Sequence, residues 1–234
     1  MNTVKVELTV QDAEALMLEH FCTEPFHNLH LLFNSGKTLD IPGGTCSDKT
    51  LSFLKEARAM GFNAHLHSAY IGGQEIHRLV RMHIGGRIYF ADIGNGWPAI
   101  KLIPADEPIS YQCFGMGYRS EVQNDRISIY HEKQQGRESL QLEIDPIPRL
   151  EEDILADIKA RYSSGITYPF SNSVRFSLIK GDQFLFLRGN KLEIFHEFKP
   201  IIYNISKENI INVLKDYFGT ELPSNIIKSL KYDY

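Results

Sequence analysis

The chain has 234 residues, 43% hydrophobic and 23% charged, with 25 Lys and Arg against 29 Asp and Glu, a length for one large domain or two to three small ones sharing a core, at roughly 100 to 200 residues per domain. A net charge of −4 argues against nucleic acid as a partner, because phosphate binding needs clustered Lys and Arg. No apolar run reaches the roughly 18 residues of a membrane span, and Cys22, Cys46 and Cys113 suit neither a disulfide scaffold nor a zinc site, so no membrane and no metal are expected.

The start, MNTVKVELTV, has neither a basic segment nor a continuous apolar one, which makes the cytoplasm the expected location. From Val10 to Leu32, Ala13, Leu16, Met17, Phe21 and Phe26 recur mostly at three- and four-residue steps. With Pro25 breaking the run, this predicts two short helices. Asn34, Ser35 and Gly36 mark a loop, and Pro42-Gly43-Gly44 leads into a third helix with apolar positions Leu51, Phe53, Leu54, Ala57 and Met60, ending at Gly61. Cys46 is thereby placed at or near a helix N-terminus.

The period then changes to that of strands. Asn63 to Ile71, Ile76 to Ile84, Arg87 to Ile93, Arg126 to His131 and Ser139 to Ile144 are rich in β-branched and aromatic residues and predict a largely antiparallel sheet or barrel. Gly85-Gly86 supplies the positive φ angles of a tight hairpin turn. A helix with an acidic start is predicted from Leu150 to Tyr162 and strands at Ser173 to Lys180, Gln183 to Arg188 and Lys191 to His196. A last helix follows Ser206 and closes at Gly219. No repeat, low-complexity tract or flexible linker interrupts these elements.

Three stretches carry groups that could react together: PGGTCSD at 42 to 48, EIHRLV at 75 to 80 and FADIGNG at 90 to 96. A thiol is a poor nucleophile until deprotonated, and a helix N-terminus reached through a glycine turn lowers the pKa of Cys46. An imidazole can take its proton, and a carboxylate can fix the imidazole tautomer and stabilise the imidazolium. A hairpin at Gly85-Gly86 puts His77 opposite residue 94 or so, with Asp92 close by on the same ladder. From residue types alone a packed core cysteine remains the competing reading. His27, His30, His65, His67 and His83 are rival imidazoles, whereas Cys22 and Cys113 read as packing, Cys113 in an aromatic, Gly-containing loop.

With these stretches in hand, the chain resembles the arylamine N-acetyltransferase family. The family's Arg-Gly-Gly-x-Cys-x-Glu-x-Asn is similar to Pro42-Gly43-Gly44-Thr45-Cys46-Ser47-Asp48-Lys49-Thr50, its Thr-His and apolar strand to Ile76-His77-Arg78-Leu79-Val80, and its Asp-Val-Gly-Phe-Gly to Asp92-Ile93-Gly94-Asn95-Gly96. Pro25-Phe26-His27-Asn28 resembles its Pro-Phe-Glu-Asn, and Phe218-Gly219-Thr220-Glu221-Leu222-Pro223 resembles the end of its last helix. The motifs run in order, and the interval from His77 to Asp92 agrees with the family's.

The resemblance implies an α+β fold in three parts, a helical bundle at 1–62, a β-barrel at 63–145 and an α/β lid at 146–234. It also implies ping-pong acyl transfer with Cys46 as nucleophile, His77 as base and Asp92 as orienting acid. Acetyl-CoA is the implied co-substrate, with no bound cofactor, and an arylamine, N-hydroxyarylamine or hydrazine the implied acceptor; oligomeric state is left open. Gly94, Asn95 and Gly96 are candidates for the CoA cleft, Phe26, Trp97 and Phe114, with Phe33 and Tyr111, for the aromatic pocket, and Lys101, Arg78 and Arg87 for CoA's charges. The chain departs from the family at Pro42, Asp48, Thr50 and Asn95. Those departures keep open an amide synthase, a transglutaminase-like or papain-like amidase, or a non-catalytic binder of aromatic ligands.

Overall fold

In the computed structural model, which describes residues 7–32, 40–134, 136–161, 168, 170, 173–196 and 199–222, Thr9 and Asp12 satisfy each other's backbone N–H groups at 2.8 and 3.2 Å and so start α1 (Val10–Thr23). Its buried residues Ala13, Leu16, Met17, His20 and Phe21 follow the predicted stripe. Beyond Pro25 come β1 (Phe26–His27) and α2 (Leu29–Leu32), so the second expected helix is a single turn. The loop expected at Asn34 to Gly36 lies outside the described residues. Next, α3 (Cys46–Met60) begins where the Thr45 N–H and hydroxyl both donate to Asp48 Oδ2, at 2.9 and 2.8 Å. It ends at Gly61, whose φ of +101° suits the left-handed cap.

The strands β2 (Asn63–Ile71), β3 (Gln74–Ile84), β4 (Arg87–Ala91), β5 (Ile103–Pro104), β6 (Ser110–Cys113), β7 (Met116–Gln123), β8 (Arg126–Glu132) and β9 (Glu138–Ile144) form one antiparallel sheet in the order β5-β4-β3-β2-β9-β8-β7-β6. The expected closed barrel is therefore corrected to a curled half-barrel, because its outer strands β5 and β6 do not pair with each other. The physical reason lies at β5, which is two residues long and ends at Pro104, a residue with no N–H to offer a further strand. Between β3 and β4 the register is the expected one, with Val80 facing Ala91 and Ile84 facing Arg87 across Gly85 and Gly86, both at positive φ. The stretch around Cys113, expected as a loop, is a hairpin: β6 turns into β7 through Phe114 and Gly115 at φ of +50° and +71°.

The C-terminal part holds α4 (Glu151–Ala160), β10 (Arg175–Lys180), β11 (Gln183–Arg188), β12 (Lys191–Phe195), β13 (Ile201–Asn204) and, after one 3-10 turn at Lys207–Asn209, α5 (Ile210–Asp216). The expected helix end at Tyr162 and the family-like Pro223 lie outside the described residues. A second sheet runs β1-β10-β11-β12-β13, so the N-terminal segment supplies its first strand, with His27 opposite Phe176. One core cluster joins all three parts, including Met17 and Phe53, Val80 and Met82, and Phe184 and Phe186. We propose 1–62, 63–145 and 146–234 as segments of the chain rather than separate bodies: the breaks fall after α3 and after β9, but the core crosses both. Among the described residues no helix is long and apolar enough to cross a membrane.

Phe53 is fully buried in the shared cluster, edge-on to His20 of α1 at 5.3 Å. Phe53→Ala is expected to destabilise the protein by about 3–5 kcal/mol, read as a lower urea midpoint; a midpoint equal to wild type contradicts this packing.

Candidate active site

The position of Cys46 follows from the segment before it. The His27 N–H donates to the Gly44 carbonyl at 2.8 Å and the Gly44 N–H to the Pro25 carbonyl at 3.1 Å, which ties the glycine turn to β1. At Gly43, with φ of +84°, a Cβ would fall 2.0 Å from the Pro25 carbonyl oxygen, so only glycine fits. The chain then enters α3 with Cys46 as its first residue, buried at 7% exposure. Asp48 both caps this helix through Thr45 and accepts from Arg161 Nη2 at 2.8 Å. The altered residue thus has a structural partner. Thr50 is likewise used: its hydroxyl donates to the Arg78 carbonyl at 3.0 Å and ties α3 to β3 one residue past His77.

His77 on β3 and Asp92 just after β4 meet as Nε2 to Oδ1 at 2.6 Å, both buried. An ionised carboxylate can only accept, so Nε2 carries the proton and Nδ1 is the nitrogen left to take one, while the Cys46 thiol has the Ile76 carbonyl at 3.9 Å and the Ser47 hydroxyl at 4.0 Å as its hydrogen-bond partners. Asn95 completes the arrangement, donating from Nδ2 to Asp92 Oδ2 at 2.8 Å while its Oδ1 accepts from the Trp97 N–H at 3.1 Å. A Cβ on Gly94 would meet the Cys46 carbonyl oxygen at 2.7 Å and Thr50 Oγ1 at 2.8 Å, so this glycine lets the loop after β4 lie directly on α3.

Burial disfavours both charged forms, yet the partners win. The Cys46 thiol is pulled below its usual pKa despite its burial, by His77 and then by Arg78 and Ser47. His77 is raised well above an ordinary histidine, again despite burial, by Asp92 and Cys46. The two therefore favour a thiolate–imidazolium pair. The other thiols go the opposite way: burial pushes Cys113 up to about 12, and partial burial with Glu19 nearby raises Cys22. Cys22 is also exposed rather than packed, which corrects the expectation for it.

Cys46 and His77 open onto a cavity of about 370 Å³ that Phe26, Gly94, Asn95, Gly96 and Trp97 also line. Phe114 is not among its lining residues; it sits in the β6–β7 turn, 6.3 Å from the Phe184 ring. Tyr111 stacks on Tyr118 at 4.9 Å, and Phe33 lies outside the described residues. The basic residues expected to serve CoA are committed elsewhere: Lys101 to Glu14, Arg87 to Asp106 and Glu107, and Arg78 to the backbone carbonyls of Glu75 and His77. None lines the cavity; Lys133, Arg175 and Arg188 do. Sequence reading passed over these three. A signal existed in the hairpin at Gly181, which sets Arg175 directly opposite Arg188. The rival histidines are elsewhere too, His27 stacked on Phe176 at 5.7 Å and His67 bonded to the Asp145 carbonyl at 2.8 Å.

A model of the N-acetyltransferase family matches residues 9–227. The chain belongs to the N-acetyltransferase family. By that membership it is an acyltransferase. Among solved structures it is similar to the arylamine N-acetyltransferase of Nocardia farcinica, with a TM-score of 0.82 and 17% identity over 99% of this chain and 90% of that one. The arylamine N-acetyltransferase of Mycobacterium marinum in complex with CoA follows at 0.77 and 16%, over 93% and 89%. That of Bacillus cereus, described as having a Cys-His-Glu catalytic triad, stands at 0.72 and 17%, over 94% of each. At such identities the likeness is one of fold. Comparison with curated protein sequences gives no match.

The shifted thiol generates a pH test. Carbamidomethylation of Cys46 is expected to follow a midpoint below the roughly 8.5 of a free cysteine, and His77→Ala should move that midpoint upward. Peptide mapping assigns the label, and a Cys46 midpoint at or above that of a free cysteine contradicts the ion-pair assignment.

Proposed function

We propose that the protein transfers an acetyl group from acetyl-CoA to an arylamine, N-hydroxyarylamine or hydrazine by a ping-pong reaction at Cys46. The observation that supports this reading is the buried His77–Asp92 hydrogen bond, with Cys46 and His77 lining one cavity of small-molecule size. The CoA complex of the Mycobacterium marinum relative and the Cys-His-Glu triad of the Bacillus cereus relative are of the same kind.

The thiolate of Cys46 attacks the thioester carbonyl carbon. The oxyanion that forms is met by backbone N–H groups of the first turn of α3, Cys46's own included, which have no acceptor within the helix. As the tetrahedral adduct collapses, the C–S bond to CoA breaks and the His77 imidazolium gives its proton to the departing sulfur. An amine nitrogen then attacks the acetyl-Cys46 carbonyl, neutral His77 takes the amine proton, and the amide leaves as the Cys46 thiolate is restored. Asp92 keeps the imidazole in one tautomer and stabilises its charged form. Gly94, Asn95 and Gly96 border the path of the pantetheine arm, and Phe26 and Trp97 flank the acceptor ring. Phe114 has no place in this pocket.

Incubation with acetyl-CoA is expected to leave one acetyl group on Cys46 by intact mass and peptide mapping, and none in Cys46→Ser. His77→Ala and Asp92→Asn should each lower kcat/KM for N-acetylation by about 10²- to 10⁴-fold, the range of general acid–base contributions. If Cys46 stays unmodified with every acyl-CoA of a graded panel, the reading is wrong; an adduct with a longer chain and none with acetyl-CoA would name a different donor.

A further inference from the structure

The half of β3 that carries His77 is weakly laddered. Its pairing with β4 starts at Val80, and on the other side β2 is irregular between Ala69 and Ile71. Ala69 faces His77 and Ile71 faces Gln74, so Glu75 and Ile76 have no opposite residue on β2. Carbonyls left over in such a stretch must be satisfied by something other than a ladder. Arg78 does this: its Nη1 donates to the Glu75 carbonyl at 3.2 Å and to the His77 carbonyl at 2.8 Å. Between those two lies Ile76, whose carbonyl faces the Cys46 thiol at 3.9 Å. Arg78 is 5% exposed, yet among the described residues its Nε has no hydrogen-bond partner and its guanidinium no ion pair with a carboxylate. Glu75 and Asp157, the carboxylates whose charges act on it, both accept from Arg149 instead.

A buried cation without a counter-ion is costly, and the charge that answers this one is the site itself. A Cys46 thiolate, a His77 imidazolium and the Asp92 carboxylate carry one net negative charge among them, and Arg78, which stays protonated at any ordinary pH, makes the group neutral. It remains neutral when an oxyanion replaces the thiolate, and again in an acyl-enzyme, where Cys46 and His77 are both uncharged and Asp92 is left against Arg78. Burial lowers the Arg78 guanidinium, and Cys46 is foremost among the negative groups that hold it up. Burial raises the Cys46 thiol, and His77 and then Arg78 pull it down. We propose that Arg78 is a positioning residue of this site, which holds β3 in place at His77 and supplies the fixed positive charge that completes the buried thiolate–imidazolium–carboxylate set. It does not line the cavity, so it acts on Cys46 and His77 and not on a substrate. The other charges around the thiol have partners or stand apart: Asp48 on α3 is answered by Arg161, the Tyr168 phenol is kept neutral by burial and by Cys46, and Lys133, Arg175 and Arg188 belong to other walls of the cavity. The consequence for turnover rests on the acyl-transfer reading; the consequence for the thiolate does not.

In Arg78→Met the pH midpoint of Cys46 alkylation by iodoacetamide, followed by peptide mapping, is expected to rise by about one unit or more, the effect of removing an opposite charge beside a thiolate. Arg78→Gln keeps an N–H donor without the charge; its midpoint should rise too, and it serves where the methionine variant fails to fold by thermal melting. Arg78→Lys keeps the charge without the planar fork, and its midpoint should lie nearer to wild type than that of Arg78→Gln. In single-turnover acylation by acetyl-CoA, measured below the wild-type midpoint, Arg78→Gln should lower the maximal rate about tenfold or more, in step with the lost thiolate. Arg78→Lys should recover part of that rate, and the half-saturating acetyl-CoA concentration should stay at its wild-type value in both. A midpoint unmoved in Arg78→Met and Arg78→Gln, or no nearer to wild type in Arg78→Lys, overturns the proposal. So does a raised half-saturating concentration with the maximal rate retained, which would make Arg78 a contact of CoA. Wild-type Cys46 that takes no acyl group while the midpoint shift holds would instead sink the acyl-transfer reading alone.

Discussion

The arrangement depends on one buried charge. Asp92 is 1% exposed, and an ionised carboxylate there is tolerated only when both oxygens are answered. His77 answers Oδ1 and Asn95 answers Oδ2. Leaving a buried charge without its partner costs about 3–5 kcal/mol, several times the roughly 1 kcal/mol net of an ordinary hydrogen bond. The course of the loop after β4 is therefore held by the need to bring His77 and Asn95 to this carboxylate, which adds to the ladder bonds that set β3 on β4.

From that loop the constraint passes to the nucleophile's helix. Gly94 lies on the Cys46 carbonyl and on Thr50, and Thr50 returns to the Arg78 carbonyl beside His77, so α3 and β3 are fastened on both sides of the thiol. The other end of α3 is set by the glycine turn on β1, and β1 is itself the first strand of the C-terminal sheet. Thus Phe26 can serve the cavity from the N-terminal segment while Phe186 and Arg188 serve it from β11. The aromatic and cationic walls come from parts of the chain that meet because β1 crosses between them.

What could be read from the sequence was whatever local chemistry announces. Gly85-Gly86 specified a hairpin and its register, Gly61 stopped α3, and Pro42-Gly43-Gly44 put Cys46 at a helix start. What could not be read was set by distant partners. Two-residue β1 exists because β10 passes beside it. The β6–β7 hairpin was hidden because Phe114 takes a positive φ that side chains other than glycine, asparagine and aspartate seldom adopt. The barrel stays open because of β5, too short to show any alternation. The residues expected to carry CoA's charges were chosen for sign and proximity in the chain, and carboxylates such as Glu14 and Asp106 take two of them in the fold. Asp48 and Thr50, which looked like losses from the family pattern, are the positions that the sequence could not interpret and the fold explains.

Asn95 shows how such a departure can tie two functions together. Its amide donates to Asp92 and its carbonyl accepts from the Trp97 N–H, so one buried side chain spans from the carboxylate behind His77 to the backbone that aims the indole. That indole packs edge-on against Phe186 at 4.8 Å and lies beneath Lys133 and Arg188. A phenylalanine at position 95 could fill space but could neither donate to a carboxylate oxygen nor accept a backbone N–H. An amide can, and a buried amide with both ends bonded rigidifies what it joins. The loop from Asp92 to Trp97 is therefore a single piece, with the carboxylate bonded to His77 at one end and the indole that lies beneath Lys133 and Arg188 at the other.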